Sequence, residues 1–155
     1  MRFKFYRKAR YQVFGFILVL MLSLSFGFRA QGQTPVSSAA KQVLESYLEI
    51  VRQEKPEFSG FDAKSGERFY FAEREHSRKG DSRSCALCHG DDPKSIGQHF
   101  TSGKMIKPLA PAANIERLTE VKKIDKWFRR NCKWTLERVC STEEKGHFLT
   151  FLYSF

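Results

Sequence analysis

Cys85-Ala86-Leu87-Cys88-His89 constrains this chain more than any other stretch. Two thiols three residues apart share one face of a helical turn, about 5–6 Å from each other. That separation lets both reach the two vinyl groups of a single porphyrin. The histidine that follows can turn its imidazole back onto the iron as proximal ligand. A chain built on this motif has to fold around one flat, largely apolar group, a covalently attached haem c.

Residues 1–32 read as an export signal rather than as part of that fold. Arg2, Lys4, Arg7, Lys8 and Arg10 form a basic start without an acid, and an apolar run of 16 residues, Val13 to Phe28, follows. Ala30 and Gly32 put small residues at the two positions a signal peptidase reads. The run falls short of the roughly 20 residues that a spanning helix needs. Cleavage after Gly32 and a periplasmic location are expected, with an uncleaved inner-membrane anchor as the alternative. The formal charge of +10 is concentrated in this segment, which holds six of the 27 Lys and Arg and none of the 17 acids. The 21 basic and 17 acidic residues that remain leave a net +4, a mildly basic surface suited to an acidic redox partner. Nucleic acid is not expected as a partner, because the sequence shows no concentrated basic stripe.

The remainder reads as one all-α domain. Residues 33–60 are a short linker and an N-terminal helix, with Ser37 or Ser38 as N-cap, Val43, Leu44, Tyr47, Leu48 and Val51 on one face, and Pro56 as the stop. Residues 61–155 form the haem domain. Asp62 caps a second helix running to about Glu75, and Gly66 inside it costs roughly 1 kcal/mol relative to Ala, which suggests a close helix crossing. After the cysteine motif comes a long irregular stretch to about Leu118, of the kind that wraps or covers something. Thr119 is expected to cap a third helix, Glu120 to about Asn131. Ser141 and Glu144 have capping-box spacing at the start of a last one. No strand is expected.

The other two cysteines need a use. A zinc site joining Cys85, Cys88, Cys132 and Cys140 is disfavoured, because seven residues separate the second pair where two to four are usual. A thioredoxin-like pair would need a βαβ context that is lacking. In an oxidising compartment Cys132 and Cys140 read as a disulfide. Eight residues of straight helix would hold their α-carbons about 12 Å apart, and a disulfide tolerates about 7 Å. The third helix is therefore expected to end near Cys132 and the chain to double back. For the second axial position the residues leave Met105, His99, His147 and His76 open. Asn131, taken alone, reads as a helix C-cap.

From about Asp62 to Leu152 the chain resembles the Sphaeroides haem protein type of cytochrome c, a small class I variant. The resemblance rests on Cys85-Ala86-Leu87-Cys88-His89-Gly90, on Gly103-Lys104-Met105-Ile106-Lys107-Pro108-Leu109-Ala110-Pro111, and most specifically on Trp127-Phe128-Arg129-Arg130-Asn131-Cys132 with Cys140 beyond. It implies a class I cytochrome c-like helical fold wrapped around the haem, with an extra N-terminal helix. It also implies Asn131 as sixth ligand of the oxidised iron beside a Cys132–Cys140 disulfide. Asn131 then leaves on reduction and opens a position for O2, NO or CO. Met105 falls where the family places no ligand. Electron transfer with other cytochromes, a dihaem cytochrome c and a membrane cytochrome b among them, is the expected role. A plain His/Met or His/His carrier is the alternative. A small haem enzyme acting on NO or peroxide is a further one, although no distal acid–base pair stands out. The second ring nitrogen of His89 is expected to find a carbonyl in the Pro108–Pro111 loop.

Overall fold

The Ser37 hydroxyl accepts from the Ala40 N–H at 3.1 Å and opens helix α1, Ser38–Glu54. Ala40, Val43, Tyr47 and Val51 recur at three- and four-residue steps and are buried, so one stripe of the helix faces inward. The computed structural model describes residues 34–155. The export signal and its anchor alternative lie outside them. Among the described residues no helix is long and apolar enough to cross a membrane.

Asp62 accepts from the Ser65 N–H at 2.7 Å and starts α2, Ala63–Phe71. This helix ends earlier than the predicted Glu75. Arg74–Glu75 forms strand β1 instead and pairs antiparallel with β2, Ser82–Arg83. Helix α3, Ala86–His89, carries the motif. A second two-residue ribbon follows, β3 (Gly97–Gln98) with β4 (Met105–Ile106). Helix α4 spans Val121–Leu136 and α5 spans Thr142–Leu152. The two ribbons were not expected, yet each is only two residues long, and the fold is all-α, with five helices among the described residues.

Helix α4 differs from the expectation at both ends. Its N-cap is Glu120, while the Thr119 hydroxyl bonds back to the Glu116 carbonyl at 2.9 Å. At the other end it runs past Cys132 to Leu136 before Glu137, at φ 56°, breaks it. Arg83 accounts for the extra turn. Its guanidinium donates to the Trp134 carbonyl at 2.9 Å, satisfying one of the carbonyls a helix C-terminus leaves unpaired. The chain still doubles back, and Cys132 and Cys140 are bridged with α-carbons 5.6 Å apart.

The core has two parts. Ala39, Val43 and Tyr47 of α1 pack with Ile124, Phe128 and Cys132 of α4 and Leu149 of α5. Tyr70, Phe151 and Leu152 form a smaller cluster reaching Cys85, Ala86 and Leu109. Helices α2 and α5 cross at Gly66, where a methyl group would overlap the His147 carbonyl and lie 2.6 Å from Phe151 Cβ. The close crossing suggested by that glycine is present. The second cluster is what fixes the motif helix to the bundle.

Candidate haem site

Buried Tyr70 holds both ends of the motif. Its carbonyl accepts from the Cys85 N–H at 3.2 Å, and its hydroxyl donates to the Gly90 carbonyl at 2.6 Å. Between these anchors α3 makes a single turn, with the His89 N–H bonded to the Cys85 carbonyl at 3.1 Å. At its start the Ser84 hydroxyl accepts from the Leu87 N–H at 3.2 Å. The β3–β4 ribbon backs directly onto this turn. A Cβ at Gly97 would overlap the Cys88 carbonyl and come within 2.9 Å of His89 Cα. The Phe100 N–H lies 3.4 Å from Cys88 Sγ.

The electrostatics suit a haem donor set. Burial, with a smaller contribution from the Arg117 charge, pushes the His89 imidazole down to about 4. It is therefore neutral and keeps a lone pair for a metal. Burial pushes the Cys85 thiol up to about 12 against the opposing pull of Arg74. Cys85 and Cys88 are free, whereas Cys132 and Cys140 are bonded to each other. That bond removes two ligands from the zinc arrangement. Leu87, Ile96, Phe100 and Met105 lie exposed on and around the motif, offering apolar contacts to a porphyrin face. Two thiols on one turn, a neutral imidazole after them and this apolar surround fit a covalently attached haem.

The expected bond from His89 to a carbonyl of the Pro108–Pro111 loop is not found among the described residues, and the Pro108 carbonyl is taken by other donors. It accepts instead from Asn114 Nδ2 at 3.1 Å and from Arg117 Nε at 2.9 Å, and a second Arg117 nitrogen donates to the Lys107 carbonyl at 2.9 Å. Sequence reasoning missed Arg117, as it missed Tyr70 and Gly97. Only Gly97 left a trace, as a glycine soon after the motif in a stretch not read as a turn.

Asn131 stands on α4 seven residues after Ile124, three after Phe128 and four before Thr135. All three are buried, and Asn131 is exposed. At about 100° per residue it belongs to the same inward stripe, on the side toward Trp127 and Trp134. Trp134 links that side to the motif. The Arg83 guanidinium lies 4.1 Å over its ring, and Phe100, whose N–H meets Cys88, lies 6.4 Å away. Asn131 sits within α4 rather than at its C-cap. The other candidates divide. His147 accepts from the Asp62 N–H at 2.9 Å, and His76 lies 3.4 Å from Glu137; both serve surface networks. His99 and Met105 are carried by the segments around the ribbon.

Cytochrome c'' of Methylophilus methylotrophus is 30% identical over 125 residues, covering 81% of this chain and 85% of its own. The cytochrome c-type protein SHP of Cereibacter sphaeroides is 41% identical over 91 residues, 59% of this chain and 69% of its own. The crystal structure of oxidised cytochrome c'' superposes with a TM-score of 0.68 at 29% identity, over 74% of this chain and 92% of that one. The structure of oxidised SHP, described as an oxygen binding cytochrome c, gives 0.65 at 29% identity, over 78% and 100%. A family model described as a domain of unknown function, DUF1924, matches residues 56–152.

The chain belongs to this family, the SHP-type cytochromes c. As an SHP-type cytochrome c it carries one covalently bound haem c and has the small helical fold of its relatives. The family match begins at residue 56, so α1 precedes it. That helix nonetheless contributes Ala39, Val43 and Tyr47 to the shared core.

Proposed function

We propose that this protein is an exported monohaem electron carrier whose reduced haem accepts a diatomic ligand, with Asn131 as the group that opens the site. Cys85 and Cys88 would form the two thioethers and His89 the proximal bond. When bound, the haem iron would supply a one-electron couple and a coordination position for O2, NO or CO. Asn131 would hold that position in the ferric state through its carboxamide, a weak, hard donor matched better to ferric than to ferrous iron. Once released, the same amide is a hydrogen-bond donor toward whatever diatomic enters. Electrons would be exchanged with other c- or b-type cytochromes. The oxygen-binding description of SHP supports the ligand class.

One observation carries the reading. Asn131 occupies the inward stripe of α4, flanked by buried Phe128 and Thr135, and is itself exposed. A side chain of pure packing value at such a position would be covered. Met105 is also exposed, but it lies on the ribbon whose partner strand packs against the Cys88–His89 backbone, on the element that backs the proximal histidine.

Optical and magnetic spectra of both redox states test the proposal. The wild-type ferric protein should be low-spin, the ferrous protein high-spin and reactive with CO. Asn131→Ala should keep the covalent haem and lose the low-spin ferric signature. A ferric thioether charge-transfer band, or a ferrous protein indifferent to CO, would sink it.

A further inference from the structure

The charge of the described domain is unevenly placed. Residues 33–155 carry 21 basic and 17 acidic side chains, a net +4. Helix α4 alone holds Lys122, Lys123, Lys126, Arg129, Arg130 and Lys133 against one acid, Asp125, a net +5. Everything else in that span sums to −1. No basic stripe was apparent in the sequence because apolar residues interrupt these six, and helical winding sorts them onto one face. Each is exposed. Asp125 accepts from the Tyr47 hydroxyl at 3.2 Å and so points toward α1.

Apart from Lys123 and Lys133, these charges do little for the helix that bears them. Lys122 and Lys126, Lys126 and Arg130, and Arg129 and Lys133 are like-charged pairs at four-residue spacing, which destabilise a helix. Lys122 and Lys123 also stand at its positive end. Of these six residues only Lys123 is ion-paired among the described residues, with Glu120. The face borders Trp127, an aromatic ring 43% exposed with the Arg130 guanidinium 5.2 Å from its centroid. Asn131 comes next around the helix. A self-repelling cationic face suits an electrostatically steered encounter, and the exposed tryptophan and arginines on it are of the kind that protein interfaces favour.

We propose that the outer face of α4, centred on Lys126 and Arg130 and bordered by Trp127, docks an acidic redox protein. Charge complementarity selects the partner. The helix holds all of the domain's net positive charge, so the domain's field turns this face toward an approaching anionic surface. In the docked pair one electron passes from the donor protein, which is oxidised, to this haem, which is reduced. The inference rests on the haem exchanging electrons with a protein, and it does not require Asn131 to be a ligand.

Stopped-flow reduction of the ferric holoprotein by reduced flavodoxin, an acidic flavoprotein, tests it. The triple variant Lys122→Glu, Lys126→Glu, Arg129→Glu is compared with Lys41→Glu, Lys64→Glu, Lys79→Glu, which changes net charge equally but lies on α1, α2 and the loop before β2. At low ionic strength the α4 triple should slow the second-order rate about tenfold or more, and the control about twofold or less. High salt should erase the gap. Hydroquinone, a small neutral reductant, should reduce all three proteins at one rate. The milder Lys122→Gln, Lys126→Gln, Arg129→Gln should give an intermediate rate without lowering Tm. Equal slowing in both Glu triples would show a global charge effect and overturn the docking face. So would a parallel loss with hydroquinone, which would place the effect at the haem. Wild-type binding to phosphatidylglycerol vesicles that the α4 triple abolishes, with flavodoxin rates unchanged, would reassign the face to lipid. Failure of the Asn131 assignment is read separately, in the spectra, and leaves these rates where they are.

Discussion

At the level of single residues, Arg117 bears on the haem from outside the Cys85–His89 motif, through His89. Three hydrogen bonds at 2.9–3.1 Å, two from its guanidinium and one from Asn114, fasten it and the Lys107–Pro108 backbone together. Its charge is felt at His89. A fixed cation near the proximal ligand disfavours the more positive ferric state and raises the reduction potential. Arg117→Leu should therefore lower the potential, on the order of tens of millivolts for one partly buried charge. Spectroelectrochemical titration measures it; an unchanged or higher value would show that the charge does not reach the iron. Nothing in the local sequence marks Arg117, because its role depends on a loop nine residues earlier folding under it. Tyr70 is silent for the same reason. The Cys85–His89 motif, by contrast, is legible at once, since its chemistry is contained in five consecutive residues. Asn131 lies between these cases. Its neighbours Cys132 and, at a distance, Cys140 give a family resemblance, while the residue itself looks like any helix-end asparagine.

Among the elements, the crossing of α2 and α5 depends on Gly66. Alanine there would gain roughly 1 kcal/mol of helix propensity but would push against the His147 backbone, which cannot rotate away. Overpacking of this kind costs about 1–3 kcal/mol, so Gly66→Ala should lower stability in denaturant titrations despite the better helix former. A gain would mean that the helices can part freely. The start of α5 is set by electrostatics. Glu144 accepts from the Ser141 N–H at 2.8 Å and from both terminal nitrogens of Arg138, at 2.8 and 2.6 Å. The Arg138 bond holds its carboxyl below the ordinary 4.5, against a desolvation that pushes it up. A depressed folded-state value contributes stability above the unfolded value, and that stability is lost as pH falls through the folded one. Glu144→Gln should therefore cost about 1 kcal/mol at neutral pH, with the gap to wild type narrowing as the pH falls below 4.5 and the carboxylate takes up its proton. Melts at falling pH follow it, and a gap that does not change with pH would rule out the charge as its source. The caps at Ser37, Asp62 and Ser141 were readable because each is a pattern of a few residues. Pro56 also marked the end of α1, at Glu54, but where α2 and α4 stop was not readable. Helix α2 yields at Phe71 to a ribbon, and α4 runs past Cys132 because an arginine 51 positions earlier caps it.

In the molecule as a whole, the helical bundle and the segment that surrounds the haem are stabilised differently. Helices α1, α4 and α5 share a continuous core. Between Asp91 and Glu120 only Pro93, Gly97, Ala110 and Pro111 are buried. That stretch is held by few protein contacts: the ribbon against the motif, the Leu109 and Ala110 N–H groups on the Pro93 carbonyl at 2.8 and 2.9 Å, and the Arg117 clasp. Thirty residues with so little buried apolar surface do not offset their own conformational entropy, which is about 1–2 kcal/mol per residue for the backbone alone. The haem has to supply the missing contacts, through the exposed Ile96, Phe100 and Met105. A Cys85→Ser, Cys88→Ser protein made without haem should therefore keep slow amide exchange in α1, α4 and α5. Its exchange from Asp91 to Glu120 should be as fast as in an unfolded chain. Hydrogen–deuterium exchange by mass spectrometry reads both regions in one experiment. Protection of the 91–120 segment equal to that of the holoprotein would show that the loop folds by itself and that the haem only occupies it. Loss of protection everywhere would show that the bundle depends on the haem as well. The two buried clusters meet at Leu118 and Phe148, so protection should fall off from that junction toward the motif.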